Sequence, residues 1–451
     1  MPTDEFRLNV KANFAVPSFS VPIIARPDVC VVGAGAAGFS AAIAAARQKL
    51  SVLLVERYGF CGGATVAGLS GTVCGLYSSG NRPEQIVFGF AGEFCEELRL
   101  RGGVCKPVAF GKTMLLPHDS FVWKETADRM LAACDATVSF HTNFVRAYAN
   151  EAGRVEVLLV RAMQGLVAIA PGLVVDASGD AEVVHSLNGA TATGKEGVVQ
   201  TPTMVFRVGG VDMSRFLQLD PRDINLLVRE AQKSGNFHLP RDHVYLFPMP
   251  NGREVLCNMT RITYPDGSVP IGTLSADMTF AEIEGRIQVR SYATFLRERV
   301  PGFEHSYLVE TGTQVGIRQT RSIEAKDCLK NEDVLNARKN KDAITFSAWP
   351  IECHDARGLT ISYLNDDTYD IPFETLVPVN SVNLLVAGRC LSAEHEALAS
   401  ARVTAQCFGM GYATGAACGL MLRDRVPARD LRGHHVIDWM HEVNLKTPWE
   451  A

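Results

Sequence analysis

The apolar positions near the start of the chain fall into short continuous runs. Val29–Val32 and Ser51–Val55 are β-branched and almost free of polar residues, the pattern of strands buried on both faces. Between them Phe39–Gln48 is alanine-rich and helix-forming. The joining stretch GAGAAG sets Gly33, Gly35 and Gly38 at G-x-G-x-x-G spacing around Ala36 and Ala37. The second strand runs into Glu56, roughly 20 residues after the glycines, where a dinucleotide site needs a carboxylate for a ribose hydroxyl. In that reading Gly33 permits the turn, Gly35 lets the backbone approach a pyrophosphate, and Gly38 lets helix and strand pack closely. The helix start then offers free N–H groups and a positive dipole end. These residues suit FAD and NAD equally.

Three later segments repeat the alternation of strand, turn and helix. Ser120–Cys134 reads as a helix followed by a strand ending near Phe144 and Val145, and alternating residues from Val145 to Ala170 read as a hairpin. LVVDASGDAEVV is a buried strand meeting a turn at Asp176–Asp180. Leu384–Ala387 is a strand, Gly388-Arg389 a turn, and a helix rich in glycine and alanine begins near Val403.

Composition narrows the class. The chain has 451 residues, 47% hydrophobic and 21% charged, enough for two or three domains with real cores. A net charge of −5 lacks the basic footprint of a nucleic-acid binder. The 12 cysteines are scattered with no C-x-x-C pair, so no metal or cluster ligand set is expected, and reduced core thiols fit a cytoplasmic protein. Cys61, without a resolving partner, reads as a packed small residue. The N-terminal stretch has early acids and prolines rather than a signal-peptide pattern, and no apolar run reaches the ~18 residues of a membrane span.

Beyond Glu56, ERYGFCGGATVAG resembles the segment of glutathione-reductase-like flavoproteins in which a second Gly-Gly turn runs toward the flavin. The resemblance implies FAD, with Arg57, Gly62, Gly63, Ala64 and Thr65 along it. It implies the backbone of Val145 against the adenine, Ala177, Ser178 and Gly179 beside the pyrophosphate, and Gly388 and Arg389 completing the crevice. The backbone N–H groups of Val403 and Thr404 would face the flavin N1/C2 carbonyl edge, which gains negative charge on reduction. Together with LRERVPGFEHSYLVETGTQVGIRQTRSI and FSAWPIECHD, the stretches resemble the FAD-dependent oxidoreductase family with a fumarate-reductase-like or heterodisulfide-reductase-like flavin domain, over most of residues 28–425. The implied fold is α/β: a split Rossmann-type FAD-binding domain with an inserted α+β substrate or cap domain. The expected boundaries are an N-terminal arm over 1–27, the FAD domain over 28–188 and 373–451, and the insertion over 189–372.

Three absences bear on the chemistry. There is no second G-x-G-x-x-G for a dedicated NAD(P)H domain, no cluster cysteine set, and Thr65 and Ser70 stand where disulfide reductases of the superfamily carry paired cysteines. Hydride transfer between a small organic substrate and flavin N5 is the remaining expectation. A flavin monooxygenase, or a flavin-holding protein without turnover, stays open. His354 and His395 are the expected proton carriers. Arg318, three residues before Arg321 and on the same side if the segment is helical, is an expected carboxylate clamp, with Arg402 in a similar position before the last helix. The expected partner is a small-molecule substrate, with no nucleic acid and no membrane. The proline-marked arm, with Pro17, Pro22 and Pro27, would lie on the domain surface or on a second copy in a homo-oligomer.

Overall fold

Five short strands, Val29–Val32, Val52–Val55, Thr137–Ser139, Leu173–Asp176 and Leu384–Val386, form a parallel sheet in the computed structural model, which describes residues 18–356, 358–364 and 366–451. Numbered along the chain, their spatial order is 3-2-1-4-5. This order reverses at Val29–Val32, and the crevice beyond the carboxyl ends of the strands at such a reversal is where an open α/β sheet holds a nucleotide. The sheet is mixed by layer, not by direction. Val29 and Val31 pack with the helices Ala36–Arg47, Ser120–Ala133 and Thr404–Asp424, while Cys30 and Val32 pack with a β-meander on the other face. Burial on both faces is why these strands read as unbroken apolar runs.

The alternation between Val145 and Ala170 forms three strands rather than a hairpin: Asn143–Ala149, Val155–Ala162 and Gly165–Ile169 run antiparallel. Ile23–Ala25, from the expected N-terminal arm, adds a parallel edge strand to this sheet. Residues 1–17 of the arm, Pro17 included, lie outside the described residues.

A second sheet, ordered Tyr245–Pro248, Glu254–Asn258, Phe206–Gly209 and Tyr307–Thr311, is antiparallel. It shares a core with the long helix Ser275–Arg299 through Phe206, Val208, Val289, Tyr292 and Phe295. The hairpin pairs at Ala343–Ser347 with Tyr369–Pro372, and at Ile351–His354 with Leu359–Ser362, follow it in the chain. Their apolar residues Ile344, Phe346, Ile351 and Ile371 belong to the core of the helical face of the parallel sheet. The stretch 189–372 therefore does not pack around one core of its own: Phe206 and Tyr292 share one core, while Ile344, Phe346 and Ile371 join the core on the helical face of the parallel sheet.

The helix Thr404–Asp424 lies flat against Ala36–Arg47, and small residues make this contact. A Cβ on Gly411 would fall 1.9 Å from the Ala37 carbonyl oxygen, and one on Gly415 would fall 2.2 Å from that of Ala41. The contact is reinforced by Ser40, whose hydroxyl donates to the Phe408 carbonyl at 3.0 Å. Glycine thus costs helix propensity here but sets the distance at which two helix starts reach the same crevice.

His118 is sealed beneath this layer against Trp123, with ring centroids 4.7 Å apart. Burial pushes its pKa down to about 4, against a small opposing effect of Asp119, so the imidazole is neutral in the folded protein. The unfolded chain binds the proton first, so this histidine withdraws stability as pH falls from about 6.5 toward 4 and contributes nothing above. A His118→Phe variant should therefore show a shallower loss of melting temperature with acidification, by up to about 3 kcal/mol at the acid end. Parallel curves for the two proteins between those pH values would refute this assignment.

Candidate functional site

The crevice at the strand reversal is a cleft of about 340 Å³ that runs from the glycine loop, past the start of the closing helix, to the open end of the second sheet. Its first wall follows from the turn after Val32. Gly33 adopts φ +95°, and a Cβ there would meet the Ala177 carbonyl oxygen at 2.6 Å, so only glycine fits. Gly38 is excluded from the cleft by its packing, since its Cβ would lie 1.8 Å from the Gly33 carbonyl oxygen. Gly35 differs from both. A Cβ on Gly35 would meet nothing nearer than the Gly63 Cα at 3.9 Å, so no protein atom demands glycine there. The helix beginning after Gly35 has neither a side-chain cap nor an acid in its first turn. Its free N–H groups and the vacant space over Gly35 match a pyrophosphate.

Glu56 closes the second strand and is 5% exposed. Its carboxylate accepts from the Ala34 N–H at 2.6 Å and from the Tyr58 N–H at 2.9 Å, which fixes it at the edge of the glycine loop with lone pairs to spare for ribose hydroxyls. Burial raises its pKa, opposed by those backbone hydrogen bonds and by Arg57. On the far side Asp176 organises the next turn. One carboxylate oxygen accepts from the Ser178 hydroxyl at 2.6 Å, and the other accepts from Val183 N–H at 2.8 Å. Asp180 then accepts from Arg389 at 2.8 Å and from the Thr320 hydroxyl at 2.8 Å, so three distant segments meet at one carboxylate. Glu182, which also lines the cleft, has its carboxyl pushed up to about 7 by burial and by Asp180 and Asp176.

The start of the closing helix opens into the same cleft. Val403 and Thr404 line it, again with no side-chain cap and no acid in the first turn. Two helix starts without side-chain caps therefore face one crevice, one at the glycine loop and one farther along it, where the Ala405 N–H is already taken by the Cys74 carbonyl at 3.0 Å.

Past Thr404 the same cleft forms a chamber with aromatic and ionised walls. Phe110 stacks on Trp349 at 5.4 Å and leans on Tyr245 at 4.9 Å. The strand Ile351–His354 presents Glu352 and His354, two apart and hence on one face, with His354 Nε2 and Glu352 Oε1 at 2.9 Å. Arg318 donates to the Thr201 carbonyl at 2.7 Å, and Arg402 donates to the Gln200 side-chain oxygen at 3.0 Å. Burial alone would raise the Glu352 pKa, but the hydrogen bond from His354 and the charges of Arg318 and Arg402 bring it down, so this carboxylate is ionised. Burial and the neighbouring Arg318 push His354 well below the usual histidine range. An ionised Glu352 places the His354 proton on Nε2 and leaves Nδ1 with the lone pair.

Most of the residues expected from the sequence line the cleft: Gly33, Gly35, Ala36, Ala37, Glu56, Arg57, Gly62, Gly63, Ala64, Thr65, Ala177, Ser178, Gly179, Gly388, Arg389, Val403, Thr404, Arg318 and His354. Three do not. Gly38 stands behind the loop as described. Val145 is the extra residue of a bulge, since Phe144 pairs with Val160 and Arg146 with Leu159, and it points to solvent at 46% exposure. Thr142, Asn143 and Phe144 line the cleft in its place. His395 begins the helix His395–Ala401 near Lys195 and Glu396, outside the cleft. The expected helical pairing of Arg318 with Arg321 is also corrected. Arg318 lies in an irregular segment, Arg321 starts a strand, and Arg321 donates to the Asp180 carbonyl instead. His354 does not titrate near neutrality, because it is buried among arginines. Glu352, Tyr245, Asn258 and Gln200 were missed. The alternation in IECH would have placed Glu352 beside His354, but nothing local in the sequence marks the other three.

A family model described as FAD dependent oxidoreductase matches residues 28–440. A search of the curated proteins finds no match. Among solved structures, a geranylgeranyl bacteriochlorophyll reductase-like protein from Thermoplasma acidophilum is 12% identical with a TM-score of 0.47, over 94% of this chain and 84% of that one. The flavin-dependent brominase Bmp2, as a triple mutant, is 12% identical with a TM-score of 0.47, over 93% and 85%. CabE, an aromatic hydroxylase from angucycline biosynthesis, is 12% identical with a TM-score of 0.45, over 93% and 69%. The uncapped helix starts, the vacant space over Gly35 and the fixed Glu56 suit the cofactor of the matched family, whose model spans nearly the whole nucleotide-binding fold. This chain belongs to the FAD dependent oxidoreductase family.

Proposed function

We propose that the protein oxidises or reduces a small organic molecule by hydride transfer, with the substrate held in the chamber beyond Thr404. The observation that carries this reading is the continuity of a single cleft, in which the dinucleotide cradle at Gly33–Glu56 opens directly onto Arg318, Glu352, His354 and Trp349. Bound FAD supplies the two-electron chemistry at its N5 atom. The chain supplies the rest. Val403 and Thr404 aim a positive helix end at the crevice. Phe110, Trp349 and Tyr245 form an apolar wall that excludes water from the reacting face. His354 Nδ1 accepts the proton that accompanies oxidation of an X–H bond, or returns it in reduction, while Glu352 holds the ring's tautomer and stabilises the charged imidazole.

The test is an anaerobic substrate screen on the purified FAD-loaded enzyme, following loss of the long-wavelength flavin band. A compound that bleaches the flavin stoichiometrically without added nucleotide supports the reading. Bleaching only by NAD(P)H, with product formation dependent on oxygen, would replace it by a monooxygenase. A flavin that only a chemical reductant bleaches would replace it by a flavin-holding protein without turnover.

A further inference from the structure

The chamber holds more positive charge than its own residues neutralise. Arg318 and Arg402 line it, and Arg241, 2% exposed, lies behind Tyr245 with its guanidinium 5.2 Å from that ring. Glu352 is the carboxylate that acts on all three. Arg261 also acts on Arg241 and Arg318, so the guanidiniums outnumber that one carboxylate, and His354, being neutral, adds no further charge. Burial, with Arg402 and Arg241, lowers the Arg318 pKa to about 9, which still leaves it charged at neutral pH. The arginines at the other end of the cleft are accounted for differently, since Arg389 is paired with Asp180 and Arg57 lies near Asp180 and Glu182.

Unused donors accompany this excess. Arg402 Nε, Arg241 Nε and Nη2, and the Gln200 side-chain nitrogen are buried with no hydrogen-bond partner among the described residues. Gln200 is itself 1% exposed and holds Arg402 through its oxygen. Leaving such donors unmet is destabilising, more so for charged groups. Unpaired buried charge is retained where a ligand supplies the counter-charge.

We propose that the substrate is an organic acid bound as its carboxylate, gripped by Arg318 and Arg402 beside the Gln200 amide, with its carbon skeleton against Phe110, Tyr245 and Trp349. This rests on the reading of the chamber as the redox site. Arginine forks match a carboxylate in two parallel hydrogen bonds, and the aromatic wall suits an organic body rather than a bare inorganic anion. Arg241 acts from behind as a positioning charge that holds Tyr245 and, through a 2.8 Å bond to its side chain, Asn258.

The experiment titrates the FAD-loaded wild-type enzyme with acetate, succinate and benzoate, each beside its neutral amide, following perturbation of the flavin absorption band. Each acid should bind at least about tenfold more tightly than its amide, the effect of one added charge-assisted hydrogen bond. Arg318→Met and Arg402→Met should each erase that preference, and the lysine variants should restore part of it. FAD content and melting temperature report whether each variant is folded, and the wild-type comparison stands without them. Equal affinities for acid and amide, no saturable perturbation by any acid, or a preference that survives in both methionine variants overturns the proposal. Tighter binding of inorganic phosphate than of every carboxylate overturns it in favour of a phosphate ester. Failure of the redox reading shows separately: a flavin band that distinguishes acid from amide but that no substrate bleaches keeps the anion site and removes the chemistry.

Discussion

Gly35→Ala should yield a folded protein with little bound flavin. The position has extended backbone, φ −65° and ψ −179°, that any residue adopts. The added Cβ meets no protein atom within 3.9 Å, so the apo fold has no reason to reject it. The methyl group projects instead into the space before the uncapped helix start, where the pyrophosphate must approach the backbone. Overpacking by one methyl costs about 1–3 kcal/mol, or roughly tenfold to hundredfold in the dissociation constant for FAD. The measurement is flavin content after purification and FAD titration of the apoprotein, with a melt in the absence of FAD alongside. Gly33→Ala is the contrasting variant: with φ +95° and a backbone oxygen 2.6 Å from its Cβ, it should lower the melting temperature of the apoprotein itself. If Gly35→Ala binds FAD like the wild type, the loop is a packing device and the cofactor lies elsewhere.

His354→Ala should slow flavin reduction by substrate by about 10²–10⁴-fold while leaving FAD content unchanged, because a positioned acid–base contributes on that scale. Glu352→Gln should approach the same loss without removing the histidine. A glutamine can accept from or donate to Nε2, so it no longer holds the proton there, and it lacks the charge that stabilises a protonated ring. The pH profile supplies an independent check. Since burial and Arg318 hold His354 neutral well below its ordinary range, the rate should show no descending limb through pH 6–7 from this residue. Stopped-flow reduction of the wild type and both variants across that range reads all three quantities. Wild-type rates in His354→Ala would remove the residue from proton transfer.

The nucleotide cradle was legible because its requirements are local. A turn that needs positive φ at Gly33, a helix that needs small residues, and an acid at a strand end are all set by neighbours within a few tens of residues. The buried parallel strands announced themselves for the same reason, since both of their faces are covered and no polar residue interrupts them. At Val145 a bulge turns the side chain to solvent, since one unpaired residue reverses which side chain faces inward and leaves no trace in an alternating sequence. His395 is expected at the site from the family resemblance, and Arg321 from a helix that the segment does not form. The loop at Gly388–Glu394 and the irregular segment at Arg318 carry them away.

The sequence by itself determined that a dinucleotide loop exists, where it begins, and which residues form its strand, turn and helix, because backbone sterics and apolar periodicity act over short distances. Only the tertiary structure decided what the loop faces. Arg241, Arg318, Glu352 and Arg402 come from four separate segments, and their meeting depends on the second sheet and the closing helix packing against the same crevice. Burial in that common chamber, rather than any motif, is what keeps His354 neutral and leaves donors of Arg241 and Arg402 without partners, since charge and solvation depend on distance in space and not along the chain.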